Sequence, residues 1–304
     1  MKLITVIILT KDEQKHIARC IESLQALDAN VFVIDSFSGD ETVAIAESLG
    51  ATVLQNKFVN HAVQFQWALD NCNIHTPWVM RMDADEYLLP ELAREIQERL
   101  PKLDADINGV IMKRRLYFMN RWIRFGGYYP VKLLRLWRSG HAYIEQKWMD
   151  EHMVLTSGKT IEFAHDFVDE NMNSLSWWTT KHNAYSTREA IDILNGKYGL
   201  FESRELDAEV TSKDVTSRKR WLKSNLYLRM PPLFRAFLYF HFRYFIQLGI
   251  LDGWKGLIWH FLQGFWYRFL VDAKVLQIER MAKQSGRSIP DIIESEFDFR
   301  IRKE

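Results

Sequence analysis

The first hundred residues alternate short apolar runs with segments of helical periodicity, and this pattern restricts the fold more than any other feature of the sequence. The runs at residues 3–9, 31–34 and 78–82 are rich in Val, Ile, Leu and Met, as expected of parallel strands that are buried on both faces. Apolar residues between the runs recur at helical spacing, for example Ile17, Ile21 and Leu24. The alternation predicts an α/β fold with a doubly wound sheet, in which ligands bind beyond the carboxyl ends of the strands.

Polar clusters follow three of the predicted strands, at residues 10–13, 35–40 and 83–86. In the first cluster, Thr10 and Glu13 have the spacing of a capping box, which predicts that a helix starts there. The last cluster places Asp83, Asp85 and Glu86 directly after an apolar run, although carboxylates near a core repel one another and lose hydration. Mg²⁺ and Mn²⁺ prefer oxygen ligands, and Mg²⁺ usually keeps water and substrate phosphates in its shell. The sequence Asp83-Ala84-Asp85 therefore predicts a metal site that a diphosphate completes, with a solvated loop as the alternative.

The pattern changes after Pro101, where strands separated by glycine-containing turns are predicted up to residue 164. From residue 171 the chain is predominantly helical, with a break at Pro231-Pro232. We therefore expect a catalytic domain at residues 1–170 and a helical C-terminal region at residues 171–304. The net charge of +1 gives no reason to expect a nucleic acid partner.

The sequence predicts a cytoplasmic protein. No stretch reaches the roughly 18 uncharged apolar residues of a membrane span, and the N-terminus lacks the pattern of a signal peptide. Cys20 and Cys72 lack metal-binding spacing, so we expect two reduced, buried thiols. Residues 221–281, however, are dense in aromatic residues interleaved with basic ones. This composition fits either core packing or a peripheral surface at the inner face of an anionic membrane, and both interpretations stay open.

Three segments carry a resemblance to a known family: TVIILTKDEQKHI, VFVIDSFSGDET and WVMRMDADEYL. In order and spacing they resemble family 2 glycosyltransferases of the GT-A fold, over about residues 1–165. The tail segment LGILDGWKGLIWHFLQGFWYRFLVDAK is similar to bacterial lipopolysaccharide-core and capsule glycosyltransferases. The resemblance implies a GT-A, Rossmann-like mixed sheet, a UDP-sugar or GDP-sugar donor, and Mg²⁺ or Mn²⁺.

The resemblance also implies roles for individual residues. Asp85 would ligate the metal that bridges the diphosphate, and Asp83 would face the ribose or the metal. His165 would complete the metal shell or contact the diphosphate, with a structural histidine as the alternative. Lys181 lies beside two tryptophans at the predicted start of a helix turn and is a candidate phosphate contact. The remaining donor-binding positions are Leu9, Thr10, Lys11, Glu13 and Asp35.

Transfer of a sugar needs a base, because the acceptor hydroxyl is a poor nucleophile until its proton is removed. The segment WMDEHMV places Asp150 and Glu151 where inverting family members hold that carboxylate. We favour Glu151 over Asp150, and an exposed acidic turn is the alternative to both.

We therefore predict an inverting, metal-dependent glycosyltransferase. Its acceptor would be a bacterial surface glycan: lipopolysaccharide core, capsule or a polyprenyl-linked oligosaccharide. A non-catalytic glycan-binding or scaffold protein on the same fold is the alternative. A nucleotidyltransferase is disfavoured, because TKDEQKH lacks the glycine-rich loop that such an enzyme needs after its first strand.

Overall fold

The computed structural model describes residues 2–145, 152–200 and 230–297. The chain divides into two compact units, Met1–Met172 and Asn173–Glu304, and each is described by itself.

The N-terminal unit begins with four parallel strands in the order β3-β2-β1-β4. These strands are β1 (Ile4–Thr10), β2 (Asn30–Asp35), β3 (Thr52–Gln55) and β4 (Trp78–Asp83). The helices that connect or follow them are α1 (Ile17–Leu24), α2 (Thr42–Ser48), α3 (His61–Asn71) and α4 (Pro90–Arg99). The strand order reverses between β1 and β4, which is where open α/β sheets bind ligands.

The second half of this unit extends the sheet with strands of mixed direction. The additional strands are β5 (Glu86–Leu88), β6 (Ile107–Phe118), β7 (Arg121–Ile123), β8 (Val131–Arg138), β9 (Ala142–Ile144), β10 (Met153–Leu155) and β11 (Lys159–Glu170). Beyond β4 the order is β8-β6-β11-β5, with β7 paired to β6, and β9 and β10 form a separate hairpin. Strand β8 is antiparallel to β4, and β11 is parallel to β6. The predicted α/β fold with a doubly wound, mixed sheet is confirmed.

The core lies on both faces of the sheet, which explains the uninterrupted apolar runs. Ile8 and Met80 pack in a cluster with Ile17 and Ile21 of α1, whereas Ile7 belongs to a second cluster that contains Phe65 of α3. Adjacent residues of a strand point to opposite faces, so both faces of β1 must be compatible with burial, and its buried Thr5 is hydrogen-bonded to the hydroxyl of Thr76. Each large apolar side chain contributes about 1.5–3 kcal/mol when it is fully buried.

The capping box predicted for Thr10 and Glu13 does not form. Thr10 belongs to β1 and its hydroxyl donates to Asp35, while helix α1 begins only at Ile17. The backbone N–H of Glu13 donates instead to Oγ1 of Thr42, 2.8 Å away. The prediction was wrong because residues 11–16 form a loop that hydrogen-bonds to the loop after β2.

The C-terminal unit is helical in the ranges that the structure describes, as predicted. Its helices are α5 (Leu175–Tyr198), α6 (Phe234–His241), α7 (Gly253–Trp259), α8 (Tyr267–Ser285) and α9 (Ile289–Phe297). Phe242–Ile246 and His260–Trp266 are π-helical continuations of α6 and α7, and Gly249–Asp252 is a 3₁₀ turn between them. Apolar side chains of α5, α8 and α9 form the core of this unit. Within the described ranges, none of the helices combines the length and the apolar character needed to cross a bilayer.

His182 of α5 is a neutral imidazole within this unit. Its ring stacks on Trp178 with 3.5 Å between centroids, and Nδ1 lies 2.9 Å from the backbone oxygen of Trp178, to which it donates. Burial lowers the pKa of His182 from 6.5 to about 4, because the charged form would lose its hydration. In the unfolded chain the imidazole is hydrated, so its pKa there stays near the ordinary value.

We expect the His182→Phe variant to lose less stability on acidification than the unchanged protein. The folded-state pKa of His182 is depressed, so its contribution to the free energy of unfolding is complete above about pH 6.5 and is lost as the pH falls through about 4. Phenylalanine keeps the stacked ring but does not titrate. Urea midpoints measured from pH 7 to pH 4 test this, with exposed His75→Phe as the control. Equal pH slopes for all three proteins would contradict the assignment.

Candidate active site

The three predicted polar clusters lie at one edge of the sheet. Thr10 pairs with Asp35 in the register of β1 and β2, and Leu9 pairs with Asp83 in the register of β1 and β4. Neighbouring strands are ~4.8 Å apart, so the backbones of Asp35 and Asp83 are ~10 Å apart, with β1 between them. This edge is the carboxyl end of the parallel strands, on both sides of the point where the strand order reverses.

Asp35 is fully buried and shapes the loop that follows β2. Its carboxylate accepts hydrogen bonds from the hydroxyl of Thr10 at 3.1 Å, from the backbone N–H of Ser38 at 2.8 Å and from the Ser38 hydroxyl. Gln55 of β3 donates from 3.4 Å. Asp35 therefore fixes the loop after β2. This loop is next to the end of β1, where Leu9 and Thr10 are predicted to bind the donor.

The loops after β1 and β2 hold each other through several hydrogen bonds. Lys11 Nζ donates to the backbone oxygen of Phe37 at 2.7 Å, and the N–H of Asp12 donates to Ser38 Oγ at 2.8 Å. In return, the N–H of Gly39 donates to Asp12 Oδ1 at 2.8 Å. Two polar loops are thereby joined into one wall of the sheet edge.

Glu13 faces a buried histidine that sequence reasoning missed. Its carboxylate lies 2.6 Å from Nδ1 of His16, and Nε2 of His16 accepts the backbone N–H of Met172 at 2.8 Å. Because Nε2 is an acceptor, the proton of a neutral His16 is on Nδ1 and is donated to Glu13. The imidazole therefore fixes the orientation of Glu13 at the end of the first loop.

The acidic cluster after β4 is neutralised in part by a buried arginine. Arg135 of β8 donates to Asp83 Oδ2 at 3.0 Å and makes a shorter contact with Glu86, the first residue of β5. Glu86 is 1% exposed and also accepts the backbone N–H of Asp83 at 2.9 Å. Arg81 Nε lies 3.5 Å from the other oxygen of Asp83. The negative charge at the end of this strand is thus matched by guanidinium groups of the protein itself.

The carboxylates of the cluster differ in proton affinity. Burial raises the pKa of Glu86 above its usual range, although the charge of Arg135 opposes this effect. For Asp83, the charges of Arg135 and Arg81 outweigh burial and hold the pKa well below its usual range. Burial raises the pKa of Asp169, at the end of β11, to about 6 against the charge of Arg114. Asp83 therefore stays ionised at neutral pH.

Asp85 lies in the turn between β4 and β5 and has a neutral partner. Nδ2 of Asn171 donates to its Oδ2 at 3.1 Å, and its backbone oxygen accepts the N–H of Glu170 at 3.0 Å. Arg19 of α1 donates to Glu170 at 2.6 Å and so ties this turn to the end of β11. The turn is held in place, and the Asp85 carboxylate is partly exposed beside the sheet edge.

The carboxylates of Asp83 and Asp85 fit a hard cation that takes most of its ligands from substrate phosphates and water. Within residues 2–145, 152–200 and 230–297, no three His, Cys, Asp or Glu side chains are arranged to hold a metal ion. Asp83 and Asp85 supply carboxylate oxygens, and Mg²⁺ is commonly bound by one or two carboxylates together with substrate phosphates and water. Asp85 is the better placed of the two, because the oxygens of Asp83 already face arginines.

The structure does not bring His165 to this carboxylate pair. The exposed imidazole of His165 lies 2.8 Å from Glu95 of α4, and the same carboxylate accepts the backbone N–H groups of Ala164 and His165. His165 precedes Asp169, the partner of Glu86, by four residues, or ~13 Å along a strand. Glu95 thus anchors His165 at the irregular middle of β11 rather than at its end.

The remaining predicted site residues are Lys181, Asp150 and Glu151. Lys181 belongs to the C-terminal unit, where its Nζ lies 4.6 Å from the ring centroid of Trp177 and 5.7 Å from that of Tyr185. Asp150 and Glu151 lie outside the described residues.

Arg135 is the main residue that sequence reasoning missed, and a signal for it was present. It interrupts the apolar run VKLLRLW, which becomes β8, at a position that the structure buries. Charged residues are almost never fully buried without a partner, so an arginine inside a predicted strand indicates carboxylates nearby. The partner itself could not be read from the sequence, because it lies 49 to 52 residues earlier in the chain.

The geometry agrees with a comparison against known protein families, in which residues 5–161 match glycosyl transferase family 2. The chain belongs to this family. The resemblance to family 2 glycosyltransferases is thereby confirmed, together with the GT-A class of fold and the prediction of a glycosyltransferase.

Relatives of this glycosyltransferase occur in Rickettsia. A protein of Rickettsia felis named "Uncharacterized glycosyltransferase" is 41% identical over 208 residues, which cover 64% of this chain and 71% of that protein. An uncharacterized glycosyltransferase of Rickettsia typhi is 40% identical over 138 residues, 45% of this chain and 40% of the relative. Among solved structures, glucosyl-3-phosphoglycerate synthase from Mycobacterium tuberculosis, in complex with Mn²⁺, UDP and glucosyl-3-phosphoglycerate, is 20% identical, with a TM-score of 0.31 over 38% of this chain and 44% of that one.

We expect Arg135→Met to lower the free energy of unfolding by about 3–5 kcal/mol, because it leaves the buried carboxylate of Glu86 without its cation and removes one of the two guanidinium groups beside Asp83. Adding Glu86→Gln should restore part of the loss, because the uncompensated charge is then removed. The matched control is Lys132→Met. Lys132 lies on the same strand as Arg135 and forms an exposed ion pair with Glu162, so its loss should change stability little. Urea unfolding measures all three, and equal effects of Arg135→Met and Lys132→Met would refute the role of the buried guanidinium.

Proposed function

We propose that this chain transfers a sugar from a UDP-sugar or GDP-sugar donor to a bacterial surface glycan with inversion at the anomeric carbon. The acceptor is a lipopolysaccharide core, a capsule chain or a polyprenyl-linked oligosaccharide. The observation that carries the proposal is the alignment of Leu9, Asp35 and Asp83 at the carboxyl ends of three adjacent parallel strands. This alignment lies at the reversal point of the strand order, where an α/β sheet leaves room for a nucleotide.

In this proposal the nucleoside lies against the two joined loops. Leu9 and Thr10 end the central strand, and Lys11 and Glu13 extend from it in a loop that is anchored to the one after β2. Asp35 positions that second loop from inside the sheet edge. Loops fixed by hydrogen bonds before a ligand arrives lose little conformational entropy on binding, which favours a specific nucleotide site.

Asp85, with Asp83, would hold Mg²⁺ or Mn²⁺ at the diphosphate. Held there, such a cation would supply charge neutralisation for the leaving nucleoside diphosphate. The protein's own contribution is to keep Asp83 ionised beside Arg135 and Arg81, and to orient Asp85 through Asn171. Both carboxylates are thereby held at the sheet edge, Asp83 by two guanidinium groups and Asp85 by an amide.

Glu151 is the proposed general base, with Asp150 as the alternative. Its carboxylate would accept the proton of the acceptor hydroxyl while that oxygen bonds to the anomeric carbon and the nucleoside diphosphate departs. The assignment rests on the position of WMDEHMV in the family pattern. Lys181 and His165 stay predictions for contacts to phosphate and metal, and the contacts of both with other side chains do not favour these roles.

Asp85→Asn tests the metal role. We expect turnover to fall by roughly 100-fold or more, because a metal ion contributes several kcal/mol of charge stabilisation. Calorimetric titration with UDP or GDP should also lose its dependence on Mn²⁺. The matched control is Asp106→Asn, an exposed carboxylate of the same unit, and circular dichroism verifies the fold of both variants. Full turnover of Asp85→Asn, or of the unchanged protein in EDTA, would exclude the proposed metal role.

Glu151→Gln tests the base. We expect the rate to fall by about two to four orders of magnitude, the usual range for loss of a general base, with little change in donor binding. Asp150→Asn is the matched neighbour and should stay active. The reverse result moves the role to Asp150, and activity of both variants moves it elsewhere. A protein that binds a glycan but neither transfers sugar nor hydrolyses any donor would instead be a scaffold.

A further inference from the structure

Two helical segments of the C-terminal unit form an apolar hairpin, which we define as residues 234–269. The first segment consists of α6 and its continuation to Ile246, and the second begins with α7. The ring of Phe240 lies 6.4 Å from that of Phe261 and 6.3 Å from that of Phe265, so the segments pack side by side. At the base, the buried Arg235 donates from Nε to both carboxylate oxygens of Asp272 on α8, at 2.9 Å. This ion pair fixes the hairpin to the core of its unit.

The tip of the hairpin exposes large apolar side chains on three consecutive pieces of chain. Ile246, at the end of the first segment, is 71% exposed, and Trp254, at the start of the second, is 63% exposed. The turn between them adds Leu248, Ile250 and Leu251, all about half exposed. Turns of water-soluble proteins are normally built from polar residues and glycine, so this composition calls for an apolar partner.

The interior of the same tip contains a buried polar pair. Asp252 and His260 are buried there, with 3.4 Å between the carboxylate and the imidazole nitrogen. A Cβ atom at Gly249 would lie 2.6 Å from His260 Nε2 and 3.0 Å from the backbone oxygen of Arg243, so the chain can approach only because this residue is glycine. A buried carboxylate and imidazole beneath exposed apolar side chains are the reverse of the usual distribution in water.

The charge of the hairpin is positive. Residues 230–271 contain one acidic residue, Asp252, and it is buried in the tip. The basic residues are Arg235, Arg243, Lys255 and Arg268.

The basic side chains differ in their contacts. Arg235 is paired with Asp272, and Arg268 donates to Glu189 at 2.6 Å. Arg243 donates to the hydroxyl of Tyr239, and Lys255 lies 5.6 Å from the ring centroid of Trp254. Basic side chains next to exposed aromatic rings are complementary to anionic lipid headgroups.

We propose that the apolar hairpin is a membrane-docking element that inserts its tip into the interfacial layer of an anionic lipid bilayer. The apolar tip enters the boundary between headgroups and acyl chains, and Arg243 and Lys255 remain at the headgroups. A second copy of this chain is the less suitable occupant. A twofold contact would bury the same surface of both copies and bring identical cations close together.

The proposal is tested on the full chain with lipid vesicles and without any donor or acceptor, so its outcome does not depend on the proposed transferase activity. We expect the protein to float with vesicles that contain about one third phosphatidylglycerol and not with pure phosphatidylcholine. Bound protein should decrease several-fold between about 0.05 M and about 0.5 M NaCl, because salt screens headgroup attraction. Absence of flotation with the anionic vesicles at low salt would overturn the proposal.

Matched variants locate the contact on the tip. The double variant Ile246→Glu/Leu251→Glu should weaken vesicle binding by at least about 100-fold. Two apolar side chains are lost from the bilayer, and the two added negative charges are repelled by the anionic lipids. Leu276→Glu makes the same kind of change on α8, outside the hairpin, and should bind within about twofold of the unchanged chain. Equal binding of both variants would refute docking through the tip.

A fluorescent label reports insertion directly. Cys20 and Cys72 are 0% and 7% exposed, so a single cysteine introduced by Ile246→Cys can be labelled selectively with an environment-sensitive dye. We expect its emission to shift to the blue with anionic vesicles and to be quenched by brominated acyl chains, whereas the same dye at Leu276→Cys should show neither effect. If sedimentation instead shows a dimer that the double variant abolishes, and vesicles leave the dye unchanged, the hairpin is a protein interface and the proposal is wrong.

Discussion

One buried guanidinium determines the form of the candidate active site. Arg135 bridges Asp83 at the end of β4 and Glu86 at the start of β5, so it connects β8 to both. Burying a charge without a partner costs several kcal/mol, and two carboxylates on one arginine offset this only in a tightly fixed geometry. A strand can therefore end in three acidic residues beside an apolar core, and the intervening turn is held in one position.

That turn separates two carboxylates that stand only two residues apart in the sequence. Asp83 faces Arg81 and Arg135, which hold its pKa low, whereas Asp85 has the neutral amide of Asn171 as its partner. A cation approaching the sheet edge would compete with arginines for Asp83 but not for Asp85. The protein thus provides one carboxylate that defines the local structure and one that is available for binding, which is why the two need not tolerate substitution equally.

The sequence predicted the parallel strands and the three polar clusters well, because uninterrupted apolar runs and strand-end polarity are local signals. It could not predict the short strand β5, because Glu86 becomes buried only through Arg135, a contact across 49 residues. The capping box failed for a similar reason: Thr42 and Asp35 take the hydrogen bonds that Thr10 and Glu13 would have exchanged. His165 was assigned by position in a family pattern, and its pairing with Glu95 of α4 depends on tertiary structure alone.

The same limit explains why aromatic density in the C-terminal region left two interpretations open. Composition fixes how much apolar surface a segment carries but not which side its neighbours cover. Asp252 and His260 are buried inside the hairpin tip, whereas Ile246 and Trp254 are exposed on its surface. Each unit thus holds a buried polar pair close in the chain to groups that face outward: Glu86, paired with Arg135, follows the partly exposed Asp85, and Asp252, beside His260, precedes the exposed Trp254 by two residues. In neither case does composition alone show which side chains face outward, because that depends on how the chain packs around the buried pair.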